Sequence, residues 1–367
     1  MISILEIMKK HLLKPVTKEK YFYLTVISEI LVYFTILYVY WGITRQTVLS
    51  YLPSEIPTII IDCPSEQQSF LKAVCDDIYT KSGEKFIPST SPIGTGGEGE
   101  VFLLKGNTDC LCLKVCHTNL KSPQTLREHS IYYQMTGMNF EKNFLKQIRH
   151  SKTPNLNFPV AGYKSPNFYG TVTKYNNMGT IQNFINKKIK LNEKYISSII
   201  YDILNGLEFL NHPPTNIKLV GYDISETNIM LHNNGQRIET FLIDPGGGGA
   251  VSNINRIPEN NDENLEIFVV GQILCALIYG ERLDYQIYSS GGKLIYETPD
   301  LQYFLSNIAK DNNLSENCKD LLSKLLNITP ESEIFIKDIL NHEFFKSKEN
   351  IPPEVLCIPE KLQKHNI

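Results

Sequence analysis

In the second half of the chain the segment GYDISETNIML, followed by TFLIDPGG, sets Asp223, Asn228 and Asp244 at close spacing among short apolar runs. Two carboxylates and an amide are hard oxygen donors of the kind that hold a divalent cation against phosphate oxygens. Transfer of a phosphoryl group needs little covalent help from a protein and depends on such positioning. The trio therefore points to ATP and a divalent metal, Mg²⁺ or Mn²⁺. Asp and Asn also cap turns by bonding to nearby backbone, but the flanking runs IKLV and IMLH favour the ligand reading.

A second motif lies upstream. IGTGGEGEVFLLK carries Gly94, Gly96 and Gly99, with Gly97 among them, in a GxGxxGxV pattern that ends in a β-rich run with Val101 and Phe102. Glycine lets a backbone turn tightly and bring N–H groups close to phosphates. In a dinucleotide fold a helix follows such glycines, whereas here a second β-like run, CLCLKVC, follows a turn at Gly106 and Asn107. Strand, turn and strand predict a flap over phosphates. Alternation along the second strand sets Cys110, Cys112, Lys114 and Cys116 on one face. Lys114 is then a candidate phosphate ligand. The next helical pattern, SPQTLREHSIYYQM, starts with Ser122 and Pro123 as N-cap and first helical residue. It offers Glu128 as the partner that would hold Lys114.

In this order the motifs resemble the eukaryotic-type protein kinase family over roughly residues 86 to 347. The resemblance implies an α+β, two-lobed protein kinase-like fold with a small β-rich N-lobe, a large mainly helical C-lobe and an N-terminal extension. It implies that Lys114, held by Glu128, grips the α/β-phosphates of ATP, that Asp223 orients the acceptor hydroxyl, and that Asn228 and Asp244 hold the metal. TVTKYNNMGTIQNFI looks like the hinge, with Thr173 as gatekeeper and Lys174 to Asn176 along the adenine edge. By the same resemblance Val101, Cys112 and Met230 enclose the adenine. IFVVGQILCALIYGERL resembles the buried central helix of the large lobe, and CKDLLSKLLNITPESEIFIKDILNHEFF its closing helices. The implied activity is transfer of the ATP γ-phosphoryl group to Ser or Thr of a protein substrate. The alternatives are a pseudokinase that binds nucleotide or a partner as a scaffold, and a small-molecule kinase.

Several positions depart from the family pattern. Gly221 and Tyr222 stand where the family has His-Arg, which removes the usual receiver of a phosphorylated activation loop. Ser252 is the only hydroxyl residue between Asp244 and Pro258-Glu259-Asn260. Ser225 replaces the lysine that steadies the transferred phosphate, a loss on the order of 10²- to 10³-fold in rate. Thr227 stands where tyrosine kinases have arginine. Glu266 replaces an aspartate at the start of the central helix, and Glu333 cannot pair with Glu259 as an arginine would. Gly221 and Pro245 thin the family's internal hydrophobic column, and Glu98 adds a negative charge at the flap tip.

The N-terminal segment, residues 1 to 50, holds an apolar stretch at 21–43 that as a helix would span roughly 35 Å, enough for a bilayer core. Tyr21, Tyr23, Tyr38, Tyr40 and Trp41 cluster at its ends in the manner of interfacial belts, while Glu29 within it opposes insertion. A single-pass membrane helix and a buried helix of a cytoplasmic protein are both open. Lys9, Lys10, Lys14, Lys18 and Lys20 precede the stretch and Arg45 follows, which would put the catalytic domain outside the cytosol. Residues 51–85 read as a short folded extension or linker, with TIIID and a helical SEQQSFLKAVCDDIY in which Ser65 is a candidate N-cap. Residues 348–367 form a tail. A formal charge of -3 with no long basic run argues against nucleic-acid binding. Eight cysteines without a CxxC pair signal neither a zinc site nor a redox dithiol.

Overall fold

The computed structural model describes residues 59–63, 65–96, 99–118, 155–212, 218–220, 224–244, 249–251, 261–284, 286–290, 293–297, 299–329, 332 and 334–353. All belong to one unit, Ser54–Ile367. The apolar stretch 21–43, Gly97 and Glu98, Glu128 with its helix, Asp223 with Gly221 and Tyr222, Pro245, Ser252, Glu259, Glu333 and the end of the tail lie outside the described residues. Among the described residues no helix is long and apolar enough to cross a membrane.

The first lobe is a seven-stranded sheet. Its strands are β1 (Ile59–Ile60), β2 (Ile87–Pro88), β3 (Gly94–Gly96), β4 (Gly99–Lys105), β5 (Cys110–His117), β6 (Ala161–Lys164) and β7 (Phe168–Lys174). The path runs β1-β6-β7-β5-β4-β2, with β3 paired to β4, and only the β1–β6 pair is parallel. The predicted succession of paired strands is present: β3 and β4 pair antiparallel with Gly94 opposite Val101, and β4 and β5 pair with Val101 opposite Lys114. Gly99 cannot be otherwise, because a Cβ there would sit 2.3 Å from the Val115 carbonyl oxygen.

Period-two alternation on β5 sends Leu111, Leu113 and Val115 into the core and leaves Cys112 and Lys114 on the other face, half-buried. Cys116 continues the same register opposite Tyr169 and is buried near the strand end.

The apolar face of the sheet is covered by α1 (Gln67–Ser82), whose Phe70, Leu71, Val74, Cys75 and Ile78 form one buried stripe. The Phe70 ring lies 5.5 Å from that of Phe168. Phe70 and Leu113 both crowd the bare Cα of Gly170, where an added Cβ would meet the Phe70 ring at 2.9 Å. Tyr163 donates its hydroxyl to Asp77 at 2.9 Å, and Gln67 donates to the Glu100 carboxylate of β4 at 2.7 Å. The helix starts one residue later than Ser65 predicts. Its N-cap is Glu66, which makes no side-chain cap bond, and packing of the stripe rather than a cap holds this end. Gly83 closes the other end at φ 71. The helix of the 51–85 extension is thus part of the small lobe's core.

The second lobe is mainly helical. It contains β8 (Gly179–Thr180), α2 (Ile181–Asn186), α3 (Glu193–Asn211), β9 (Lys218–Val220), β10 (Ile229–Asn233), β11 (Ile238–Leu242), β12 (Gly249–Val251), α4 (Asn261–Tyr279), β13 (Gln286–Ser290), β14 (Lys293–Glu297), α5 (Leu301–Lys310), α6 (Glu316–Leu326) and α7 (Ile336–Ile339). The predicted central helix is α4, with Ile267, Val270, Ile273 and Leu274 fully buried. Its buried polar residues make directed bonds: Asn211 donates to Glu266 at 2.6 Å, the Ile336 N–H donates to Glu263 at 2.8 Å, and Asn264 donates to the carbonyls of Thr329 and Ser332. Glu266, in place of the family's aspartate, still receives a buried bond. A hairpin, β13–β14, follows α4 and was not anticipated from the sequence. Asn192 caps α3 and Ser315 caps α6 through their side chains.

Candidate active site

The floor of the cleft is a three-stranded sheet, β11-β10-β8, entered through a 3₁₀ turn at Glu226–Asn228. Asn228 ends that turn, its N–H bonded to the Ser225 carbonyl at 2.9 Å, and its own carbonyl accepts the Ile243 N–H at 2.9 Å. That second bond fixes Asn228 beside the residue preceding Asp244. Asp244 adopts φ 60, a left-handed conformation that Asp tolerates better than most side chains. Its carboxylate Oδ1 lies 3.2 Å from Lys114 Nζ of β5, with the lysine side chain 18% and the aspartate 37% exposed. A cation of the small lobe and an anion of the large lobe, 130 residues apart in sequence, thus face one another. The strand β12, just beyond Asp244, pairs antiparallel with β9, which leads towards Asp223.

Residues expected along the adenine lie on β5, β7 and the floor. Cys112 pairs with Thr173 across β5 and β7, and the Tyr175 N–H donates to the Cys110 carbonyl at 3.2 Å. Burial, with the neighbouring Cys110 adding to it, pushes the Cys112 thiol up to about 12, so it is a neutral, apolar surface at neutral pH. Asn176 is buried and its Nδ2 reaches Met230 Sδ at 3.8 Å, which brings the hinge and the floor residue together. Asn176 Oδ1 is buried with no hydrogen-bond partner. The Lys174 carbonyl accepts from Asn157 at 2.8 Å, and its ammonium lies 5.8 Å from the centre of the Phe241 ring. Gly94 and Gly96 are exposed at the flap.

A polar brace, missed in the sequence, ties this floor to the lobe above. Asn155 sits at φ 57, donates through Nδ2 to the Thr240 carbonyl at 3.0 Å and accepts from Asn205 at 2.8 Å, while its carbonyl accepts the Leu242 N–H at 2.9 Å. Asp202 accepts the Thr240 N–H at 3.1 Å. Burial raises the Asp202 carboxyl to about 6 despite that bond and the Arg237 charge. Burial, followed by the Lys174 charge, lowers His232 on β10 to about 4. A second missed pair is Arg282, beyond α4, whose Nε and Nη2 donate to the two oxygens of Glu226 in a bidentate ion pair. Its partners are 56 residues apart, and no local pattern signals them. Beside it, the Ser225 and Thr227 hydroxyls lie 2.8 Å apart. Among the described residues no group of three or more His, Cys, Asp or Glu side chains could hold a metal ion. The candidate ligand pair is one amide and one carboxylate, Asn228 and Asp244.

A β-rich lobe over a helical lobe, with a strand lysine facing an aspartate across the gap, defines a protein kinase-like protein. No protein-family model matches the chain. Among curated proteins, it is 25% identical over 232 residues to the serine/threonine-protein kinase atg1 of Dictyostelium discoideum, covering 58% of this chain and 33% of that protein. It is 24% identical over 266 residues to the probable serine/threonine-protein kinase HSL1 of Saccharomyces cerevisiae, covering 68% and 17%. With the human phosphorylase b kinase gamma catalytic chain, liver/testis isoform, it shares 26% over 235 residues, covering 58% and 55%. The matched region thus spans between 17% and 55% of these relatives' own lengths. The chain is thus similar to protein kinases, at 24–26% identity and over part of each relative's length.

Proposed function

We propose that the chain is an atypical protein kinase that transfers the ATP γ-phosphoryl group to Ser or Thr of protein substrates. The observation that carries this reading is the Lys114–Asp244 contact at 3.2 Å, because it juxtaposes a phosphate-binding cation and a metal-binding carboxylate at the mouth of one cleft. Asn228 and Asp244 suit Mg²⁺ or Mn²⁺, which takes one or two protein oxygens and completes its shell with phosphates and water. When bound, the metal neutralises charge on the phosphate oxygens. The nucleotide also fits, since the buried, unpartnered Asn176 Oδ1 at the hinge can accept from an amino group such as that of adenine. Lys114 grips the α/β-phosphates, with Glu128 as its steadying partner. Gly94, Gly96, Gly97 and Gly99 cover them, Val101, Cys112 and Met230 enclose the base between Thr173 and Lys174, and Asp223 orients the acceptor hydroxyl and takes its proton. Residues 86–347 form the catalytic domain in this reading.

Purified protein with ATP, Mn²⁺ or Mg²⁺ and a generic protein acceptor should incorporate phosphate without prior loop phosphorylation. Asp223→Ala and Asp244→Ala should each reduce incorporation on the order of 10²-fold or more, and equal incorporation in wild type and both variants would refute the proposal. A second reading, a pseudokinase, is favoured by the Ser225–Thr227 hydroxyl pair, which puts no cation where the family has its lysine. Nucleotide-induced thermal stabilisation without turnover would select it. Membrane anchoring through 21–43 is a separate proposal. Removing those residues should release a tagged chain from the membrane fraction, and unchanged partitioning would exclude an anchor there.

A further inference from the structure

We propose that Arg282 and Glu226 are positioning residues that hold the metal-facing pair, Asn228 and Asp244, in register from the central helix. This rests on the phosphotransferase reading above, and it concerns residues which that reading does not use. Glu226 is 7% exposed and opens the 3₁₀ turn that ends at Asn228. Both of its carboxylate oxygens are taken by Arg282, in the planar fork that only a guanidinium provides. Arg282 is itself anchored, because the next residue, Leu283, donates its N–H to the fully buried Gln272 of α4 at 3.0 Å. From Glu226 the linkage continues two residues to Asn228, whose carbonyl holds the Ile243 N–H at 2.9 Å and so fixes the start of Asp244. One path from α4 to both candidate ligands therefore runs through this part-buried, bidentate ion pair. Removing the guanidinium would leave an uncompensated, largely buried carboxylate on this short turn.

Outer partners of metal ligands typically contribute roughly 10- to 100-fold in metal affinity or activity, and that sets the expected size. Affinity for a fluorescent ATP analogue is measured on the full chain in Mn²⁺ and in EDTA, for wild type, Arg282→Lys, Arg282→Ala and the neutral double variant Glu226→Gln/Arg282→Gln. The metal-dependent gain in affinity should fall about tenfold or more in Arg282→Ala. It should fall by less in Arg282→Lys, which keeps the charge but loses the fork. In the double variant, which leaves no buried charge unpaired, it should fall as well, with melting temperature near that of wild type. Affinity in EDTA should stay within about twofold, since the base and flap are untouched.

If Arg282→Ala does not fold, the double variant decides. A wild-type metal gain in the double variant and in Arg282→Lys overturns the inference and leaves the phosphotransferase reading standing. So does a parallel loss in Mn²⁺ and EDTA, which would mark a general structural role. Wild type that binds nucleotide with no metal gain overturns both.

Discussion

The back of the small-lobe sheet and the floor of the cleft are both buried, but they are held by opposite means. Behind β5, Phe70, Leu113 and Phe168 fill space without directional bonds, and the alternation of one strand decides which side chains take part. Under the cleft, Asn155, Asn205, Asp202 and Thr240 are joined through oriented hydrogen bonds by residues up to 85 positions apart. Dispersion and hydrophobic burial tolerate small displacements, whereas a hydrogen bond lost in a buried site costs the full desolvation of the orphaned group. The difference separates a lobe held by apolar packing from a floor whose strand β11, just before Asp244, is held by directed polar bonds.

The largest effect expected on this comparison is Phe70→Ala. Truncating this fully buried ring should cost about 3–5 kcal/mol in denaturant unfolding. A cost under about 1 kcal/mol would mean that α1 is not part of the lobe's core.

Next in size is the acid response of the floor. Asp202, raised to about 6 from an ordinary value near 3.9, binds its proton more tightly folded than unfolded. Stability from this group is therefore greatest below about pH 4, falls by about 3 kcal/mol as pH rises to about 6, and is level above that. His232, lowered to about 4, has the opposite slope between about pH 4 and 6.5, because there the unfolded chain takes up the proton first. The two largely cancel in the wild-type profile, so the difference between Asp202→Asn and wild type is the informative quantity. It should shift in favour of the variant by about 3 kcal/mol between pH 4 and 6, and a pH-independent difference would deny Asp202 its raised value.

The smallest effect is Gln67→Ala, which removes the bond from α1 to Glu100 on the flap strand. It should cost about 1 kcal/mol. A larger loss would mean that this polar link, and not only the apolar stripe, holds the helix to the sheet.

Much of the fold was legible because its signals are local. The flap follows from glycines and two β-rich runs, the direction of Lys114 from strand alternation, and α4 from an apolar run too long for a strand. The start of α1 falls one residue later than the Ser65 cap predicts, at an element end where neighbouring packing overrides capping preference. The site was legible only by residue type. Lys114 and Asp244 could be named as candidates, but their pairing could not be read from either neighbourhood.

The sequence alone determined which chemistry is available: Asp223, Asn228 and Asp244 as oxygen donors, Lys114 as the cation, and Ser225 where a second cation is missing. Only the tertiary structure decided what stands against what. The Arg282–Glu226 pair, the Asn155 brace and the docking of α1 on the sheet join residues whose separations carry no periodic signal. Such contacts exist only once burial has removed water and left each polar group dependent on whatever partner the fold brings within reach.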